Sequence, residues 1–143
     1  MKIIGFELTK ISAEKLVAQV TTRHSTTIEF TELKDESNDL LKEGKILKIS
    51  FKYLLIYEEQ KKEKEGEIAF NGNIIISTTE EELKEIKKHW KKKKLPSNMN
   101  IFLFNLVLRR CTPKAIFLED EISLPIHTPM PKLEPKKEEQ TKN

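Results

Sequence analysis

The chain has 143 residues, 34% of them charged, with a formal net charge of +3 from 26 basic and 23 acidic side chains. That length predicts one domain able to bury a real core, and charges that nearly cancel do not announce a nucleic-acid partner. A single cysteine, Cys111, excludes an internal disulfide and a Cys-based metal site, and four glycines leave no Gly-rich phosphate loop.

The first twenty residues carry Ile4, Phe6 and Leu8, then Leu16, Ala18 and Val20, each set at two-residue spacing. That is the period of a strand whose side chains alternate between faces. It is not the apolar run of a signal peptide, and nowhere is there a run long enough to span a bilayer. The expectation is a soluble, cytoplasmic protein. Ser12, Ala13, Glu14 and Lys15 interrupt the pattern and predict a bulge or bend between two halves. Residues 26–33 are Thr-rich and alternating, a second strand, and the polar residues 34–44 form a connection.

The clearest strand covers residues 45–57. Leu47, Ile49, Phe51, Tyr53, Leu55 and Tyr57 make one unbroken apolar face. Leu54 and Ile56 turn the other face apolar at the far end, which predicts cover on both sides there. Residues 61–66 read as a charged hairpin loop, after which Ile68, Phe70, Ile74 and Ile76 keep the period of two. Asn71, Gly72 and Asn73 in the middle predict a bulge.

A first helix begins at Thr78 or Thr79. Thr79 and Glu82 have capping-box spacing, and Glu80, Glu81 and Glu82 suit the positive end of a helix dipole. Leu83, Ile86 and Trp90 form a narrow apolar stripe. The helix runs out through Lys91, Lys92, Lys93 and Lys94 and stops before Pro96. Ser97 or Asn98 is placed to cap a second helix, apolar over most of its surface from Ile101 to Leu108. Thr112 and Pro113 predict a kink or restart, with Ala115, Ile116, Leu118 and Ile122 continuing the apolar side. An extended, Pro-rich stretch follows over residues 124–131. The division is therefore a domain of residues 1–131 and a charged, disordered tail of residues 132–143.

Chemistry-bearing residues are few. His24, His89 and His127 lack metal-site spacing and read as solvated or structural. Cys111 stands beside Arg109 and Arg110, so it is either a thiol of lowered pKa or a buried hydrophobe. The lysines of the first helix are either phosphate contacts or cations set against the negative end of the dipole. Trp90 is either a core anchor or the lining of an apolar groove. The material points to binding, with no enzyme activity, cofactor or metal. A nucleic-acid-binding module built on the Lys-rich helix is the alternative.

The order of parts resembles the SecB family of export chaperones, in particular its archaeal SecB-like members. The resemblance covers roughly residues 3–131. It rests most on the apolar helix from Asn100 to Leu118 and on the Leu124, Pro125, Pro129 and Pro131 extension. It implies an α+β fold, a four-stranded antiparallel sheet followed by a short and a long C-terminal helix. It also implies a homotetramer, a dimer of dimers. The implied activity is that of an ATP-independent holdase taking unfolded polypeptides into apolar grooves, in export or in protection of an antitoxin. On that resemblance the groove residues are Phe51, Tyr53, Tyr57, Phe70, Trp90, Leu95 and Phe102. The oligomer interface falls to Ile101, Phe104, Leu108 and Ile116. Lys48 and Lys52 depart from the acidic outer sheet face by which bacterial members engage the export motor.

Overall fold

Four strands, β1 (Lys2–Lys15), β2 (His24–Asp35), β3 (Lys45–Glu58) and β4 (Lys64–Thr78), precede two helices, α1 (Glu80–Trp90) and α2 (Ser97–Glu121). The structure, a computed structural model, describes residues 1–21, 23–37, 44–58, 63–131, 133 and 135. All strand pairs are antiparallel in the order β1-β4-β3-β2. β1 and β2 are consecutive in sequence yet hold opposite edges, so their connection crosses the width of the sheet. It is tied on the way: the Leu16 amide donates to the Glu65 carbonyl at 2.9 Å. The Thr21 amide and hydroxyl both donate to the Glu65 carboxylate, at 3.0 and 2.9 Å.

The two-residue period of the central strands sorts the core. Leu47, Ile49, Phe51, Tyr53, Leu55 and Tyr57 of β3, with Ile68, Phe70, Ile74 and Ile76 of β4, are at most 1% exposed. α2 covers that face with Leu103, Val107, Cys111 and Ala115, all buried. A spacing of four on a helix of 3.6 residues per turn drifts by about 40° per step. The contact stripe therefore winds around α2, leaving Ile101, Phe102 and Phe104 exposed at one end and Phe117 at the other.

Several local expectations are corrected. Leu16, Ala18 and Val20 do not continue a strand, since β1 ends at Lys15 and the chain must turn to reach the far edge. Residues 12–15 stay in register with β4; the irregularities fall between Ile3 and Gly5 and between Leu8 and Lys10. β4 has no bulge at Gly72, because the β3 register runs unbroken through Phe51 opposite Gly72. The extra residue is Thr9 on β1, facing that point.

Gly72 instead makes room. A Cβ there would lie 2.4 Å from the Glu7 carbonyl oxygen and 2.7 Å from the Phe51 ring. The rings of Phe6 and Phe51 stack at 5.3 Å on either side of it. Asn73 faces the opposite side, accepting from the Ser50 hydroxyl at 2.8 Å and donating to the Glu7 carboxylate at 2.9 Å. On that same side Leu54 and Ile56 are only half-buried, so the doubly covered strand end is not found.

The capping box at Thr79 forms as expected: the Glu82 amide donates to the Thr79 hydroxyl at 3.1 Å, and the Thr79 amide to the Glu82 carboxylate at 3.0 Å. α2 has Pro96 as N-cap with no side-chain cap bond, so Ser97 and Asn98 lie inside the helix. It does not restart at Pro113. The helix bond lost to an interior proline costs about 3 kcal/mol, and the burial of Cys111 and Ala115 on either side holds the helix through it. Lys64, Glu65 and Gly66, expected in the charged loop, instead open β4, which pairs there with β1 and β3. Residues 61–62 of that loop, residues 38–43 of the expected connection, and the expected tail apart from Leu133 and Pro135 lie outside the described residues. Among the described residues no helix is long and apolar enough to cross a membrane.

Candidate functional site

α1 ends at Trp90, and the chain turns through Lys91, Lys92 and Lys93 before α2 starts at Ser97. This corner stands over the β2 edge of the sheet and leaves an open cleft of about 850 Å³. Ile28 and Phe30 of β2, Trp90 and Leu95 of the corner, and Ile101 and Phe104 of α2 supply its apolar lining. Leu95 is buried at the base and Trp90 is half-buried against the core. Ile101 and Phe104 remain 60% and 36% exposed, since the winding stripe of α2 turns them away from the sheet. β2 carries its own irregularity here: register shifts between Phe30 and Glu32, leaving Thr31, another cleft residue, as the extra residue. Edge strands commonly carry such bulges, which discourage uncontrolled pairing.

The rim is cationic. Lys93 and Lys94 line the cleft, with Glu29 as the acid across from them. Lys93 lies in the left-handed region at φ 58°, and its Nζ stands 5.4 Å from the centroid of the Trp90 ring.

The residues expected in the groove divide. Trp90 and Leu95 lie in the cleft. Phe51, Tyr53, Tyr57 and Phe70 do not: they are at most 1% exposed beneath α2, where the two-residue period points them into the core. Phe102 points to a separate cleft of about 680 Å³ beside Met1, Ile86 and Met99. Ile101 and Phe104, expected at a subunit interface, line the cleft with Trp90, while Leu108 and Ile116 are half-buried. Ile28 and Phe30 join the cleft without a sequence signal beyond their alternation, because that alternation does not reveal that β2 forms an edge. Phe70 and Phe117 also border a third cleft of about 390 Å³, lined in addition by Ile11, Pro113, Lys114 and Leu118.

The histidines find different surroundings. His127 is held by the fully buried Glu119: the carboxylate accepts from the His127 amide at 3.0 Å and from Nδ1 at 2.9 Å. The Tyr57 hydroxyl also donates to Glu119 and lies 2.5 Å from the Pro125 carbonyl oxygen. Burial and the Glu119 carboxylate push the Tyr57 hydroxyl well above the usual phenol range. Burial likewise pushes Tyr53 up to about 12. These groups join the end of α2, β3 and the residues after α2 into a closed polar clasp that opens into none of the three clefts. Cys111 is fully buried, and burial pushes its thiol up to about 11, against the activation that neighbouring arginines suggested. Among the described residues no group of three or more His, Cys, Asp or Glu side chains is placed to hold a metal ion.

A four-stranded antiparallel sheet with a short and a long helix on one face, in this order, is the SecB-like α+β fold. Among solved structures the chain is similar to the Mycobacterium tuberculosis SecB-like chaperone in complex with a ChAD peptide from the HigA1 antitoxin. The TM-score is 0.51 and the identity 15%, over 94% of this chain and 92% of that one. No protein-family model matches the sequence, and no curated protein does.

Proposed function

We propose that this protein is an ATP-independent chaperone that holds non-native polypeptide segments in the cleft between the α1–α2 corner and the β2 edge. The observation that carries the reading is the open apolar lining of Trp90, Ile101, Phe104, Ile28 and Phe30. A surface of this kind binds through apolar burial, at about 25 cal/mol per Å². That force is non-directional and so accepts many sequences, without a cofactor or nucleotide. The SecB-like fold supports the reading, as does the peptide in the complex of the M. tuberculosis protein.

Assembly belongs to the same proposal. The chain forms a homotetramer, a dimer of dimers, in the cytoplasm, with Leu108 and Ile116 of α2 toward its partners. Ile101 and Phe104 are assigned to the groove instead. Clients are unfolded chains in export or a dedicated antitoxin.

The test is suppression of the aggregation of a heat-labile client, followed by light scattering, with native mass recorded with and without unfolded client. Suppression at stoichiometric amounts is expected, with client co-migrating with the oligomer. No suppression sinks general holdase activity, and a monomeric mass removes the tetramer. The exposed lysines at residues 91–94 support a second reading, nucleic-acid binding, which predicts affinity for short duplexes that collapses as salt rises.

A further inference from the structure

A helix that ends in a left-handed residue ordinarily has Gly or Asn there, because a side chain bearing Cβ crowds the following carbonyl. This chain places Lys93 at that position, φ 58°, directly after the turn in which its amide donates to the Trp90 carbonyl at 2.8 Å. The left-handed backbone brings the side chain back over the Trp90 ring, with Nζ 5.4 Å from the centroid. Lys94 lines the same cleft. Complementing the helix dipole requires only positive charge near the last turn, which Lys87, Lys88 and Lys91 already supply. It does not require a strained Lys over the one tryptophan.

The state of these lysines adds a second argument. Lys87 of α1 is ion-paired with Asp35 at 2.9 Å. Among the described residues, Lys93 and Lys94 are in no ion pair. Of the cleft-lining residues, Glu29 is the one acid against these two cations. An incoming carboxylate would meet the Lys93 ammonium already held beside the Trp90 ring, with Lys94 lining the same cleft; both are exposed, so the pairing is open to screening by salt.

We infer that the cleft selects its occupants by charge, taking extended apolar polypeptide segments flanked by Asp or Glu and discriminating against Lys- or Arg-flanked ones. The apolar side chains of the segment lie along Trp90, Ile101 and Phe104, and its flanking carboxylates pair with Lys93 and Lys94. This rests on the reading of the cleft as a polypeptide site and names which polypeptides it prefers.

Three short peptides sharing one apolar sequence, flanked by Glu, Gln or Lys, test it on the full-length chain. The sole tryptophan, Trp90, reports cleft occupancy through its fluorescence, and anisotropy of the labelled peptides reports affinity. The Glu-flanked peptide is expected to bind about tenfold tighter than the Lys-flanked one, with the advantage shrinking as salt rises. K93E/K94E is expected to invert the order. K93G, which places the residue at home at positive φ, is expected to melt no lower than the parent while losing part of the preference. Equal affinities for the three peptides overturn the inference and leave the polypeptide site standing, as does an acidic preference that survives in K93E/K94E. If none of the peptides binds or alters Trp90 fluorescence, the polypeptide site itself falls, and the inference with it.

Discussion

Glu119 and His127 are eight residues apart, and their side chains meet at 2.9 Å where α2 gives way to the Pro-rich stretch. The carboxylate is fully buried and also receives the Tyr57 hydroxyl of β3, so one acid fastens three parts of the chain. Removing it leaves a phenol and an imidazole buried without their partner. Glu119→Ala is expected to cost about 3 kcal/mol, and Glu119→Gln less, because the amide retains an acceptor. Urea unfolding at neutral pH measures both; midpoints equal to the parent's would show that the clasp contributes nothing.

Gly72→Ala places a methyl group against the Glu7 carbonyl and the Phe51 ring. One neighbour is backbone and the other is locked beside Phe6, so the sheet must spread to admit it. A loss of about 2 kcal/mol is expected, read as a lower melting temperature. An unchanged melting temperature would mean that β1 and β4 are looser there than the register implies.

Thr79→Ala removes the hydroxyl that accepts from the Glu82 amide. The expected cost is about 1 kcal/mol, borne locally because Leu83 and Ile86 are the buried anchors of α1. Hydrogen exchange should speed up across Glu80–Trp90 more than across α2. Since Trp90 ends that helix, client affinity should fall in parallel; uniform exchange in both helices would contradict this.

Ile101→Ser and Phe104→Ser separate groove from interface. Both residues are exposed, so stability should change by no more than about 0.5 kcal/mol, while client binding weakens severalfold at unchanged native mass. A drop in native mass with client binding retained would return these two residues to the subunit interface.

Alkaline pH supplies a further check. Cys111 rises from 9.0 to about 11 and Tyr53 from 10.0 to about 12 on folding, both chiefly through burial, and Tyr57 is raised as well. With folded values above unfolded ones, the native state keeps protons that the unfolded state has released. Stability is therefore complete below about pH 9 and declines as pH climbs through the interval up to the folded values. Denaturant midpoints from pH 7 to 11 should fall beyond pH 9, and a Cys111→Ala background should begin that fall nearer pH 10. A flat profile would contradict the burial of all three groups.

Much of the fold was legible because it depends on local periodicity. The alternation from Leu47 to Tyr57 and the capping pair Thr79 and Glu82 define their elements without reference to anything distant. The cleft was only half legible. Trp90 and Leu95 lie next to a visible helix end, but Ile28 and Phe30 belong to the site because β2 is an edge strand. Phe51, Tyr53, Tyr57 and Phe70 have the composition of a groove, yet they form the floor on which α2 rests.

The strand and helix order, the buried face of β3, the start of α1 and the scarcity of catalytic groups can all be read along the chain. These follow from side-chain period, capping chemistry and composition, which are properties of neighbouring residues. The order β1-β4-β3-β2, the burial of Cys111, the partnership of Glu119 with His127 and the exposure of Ile101 and Phe104 emerge only when the elements pack together. The cause is geometric. A spacing of four winds the contact stripe around α2, so which apolar residues remain for a partner depends on where that helix crosses the sheet.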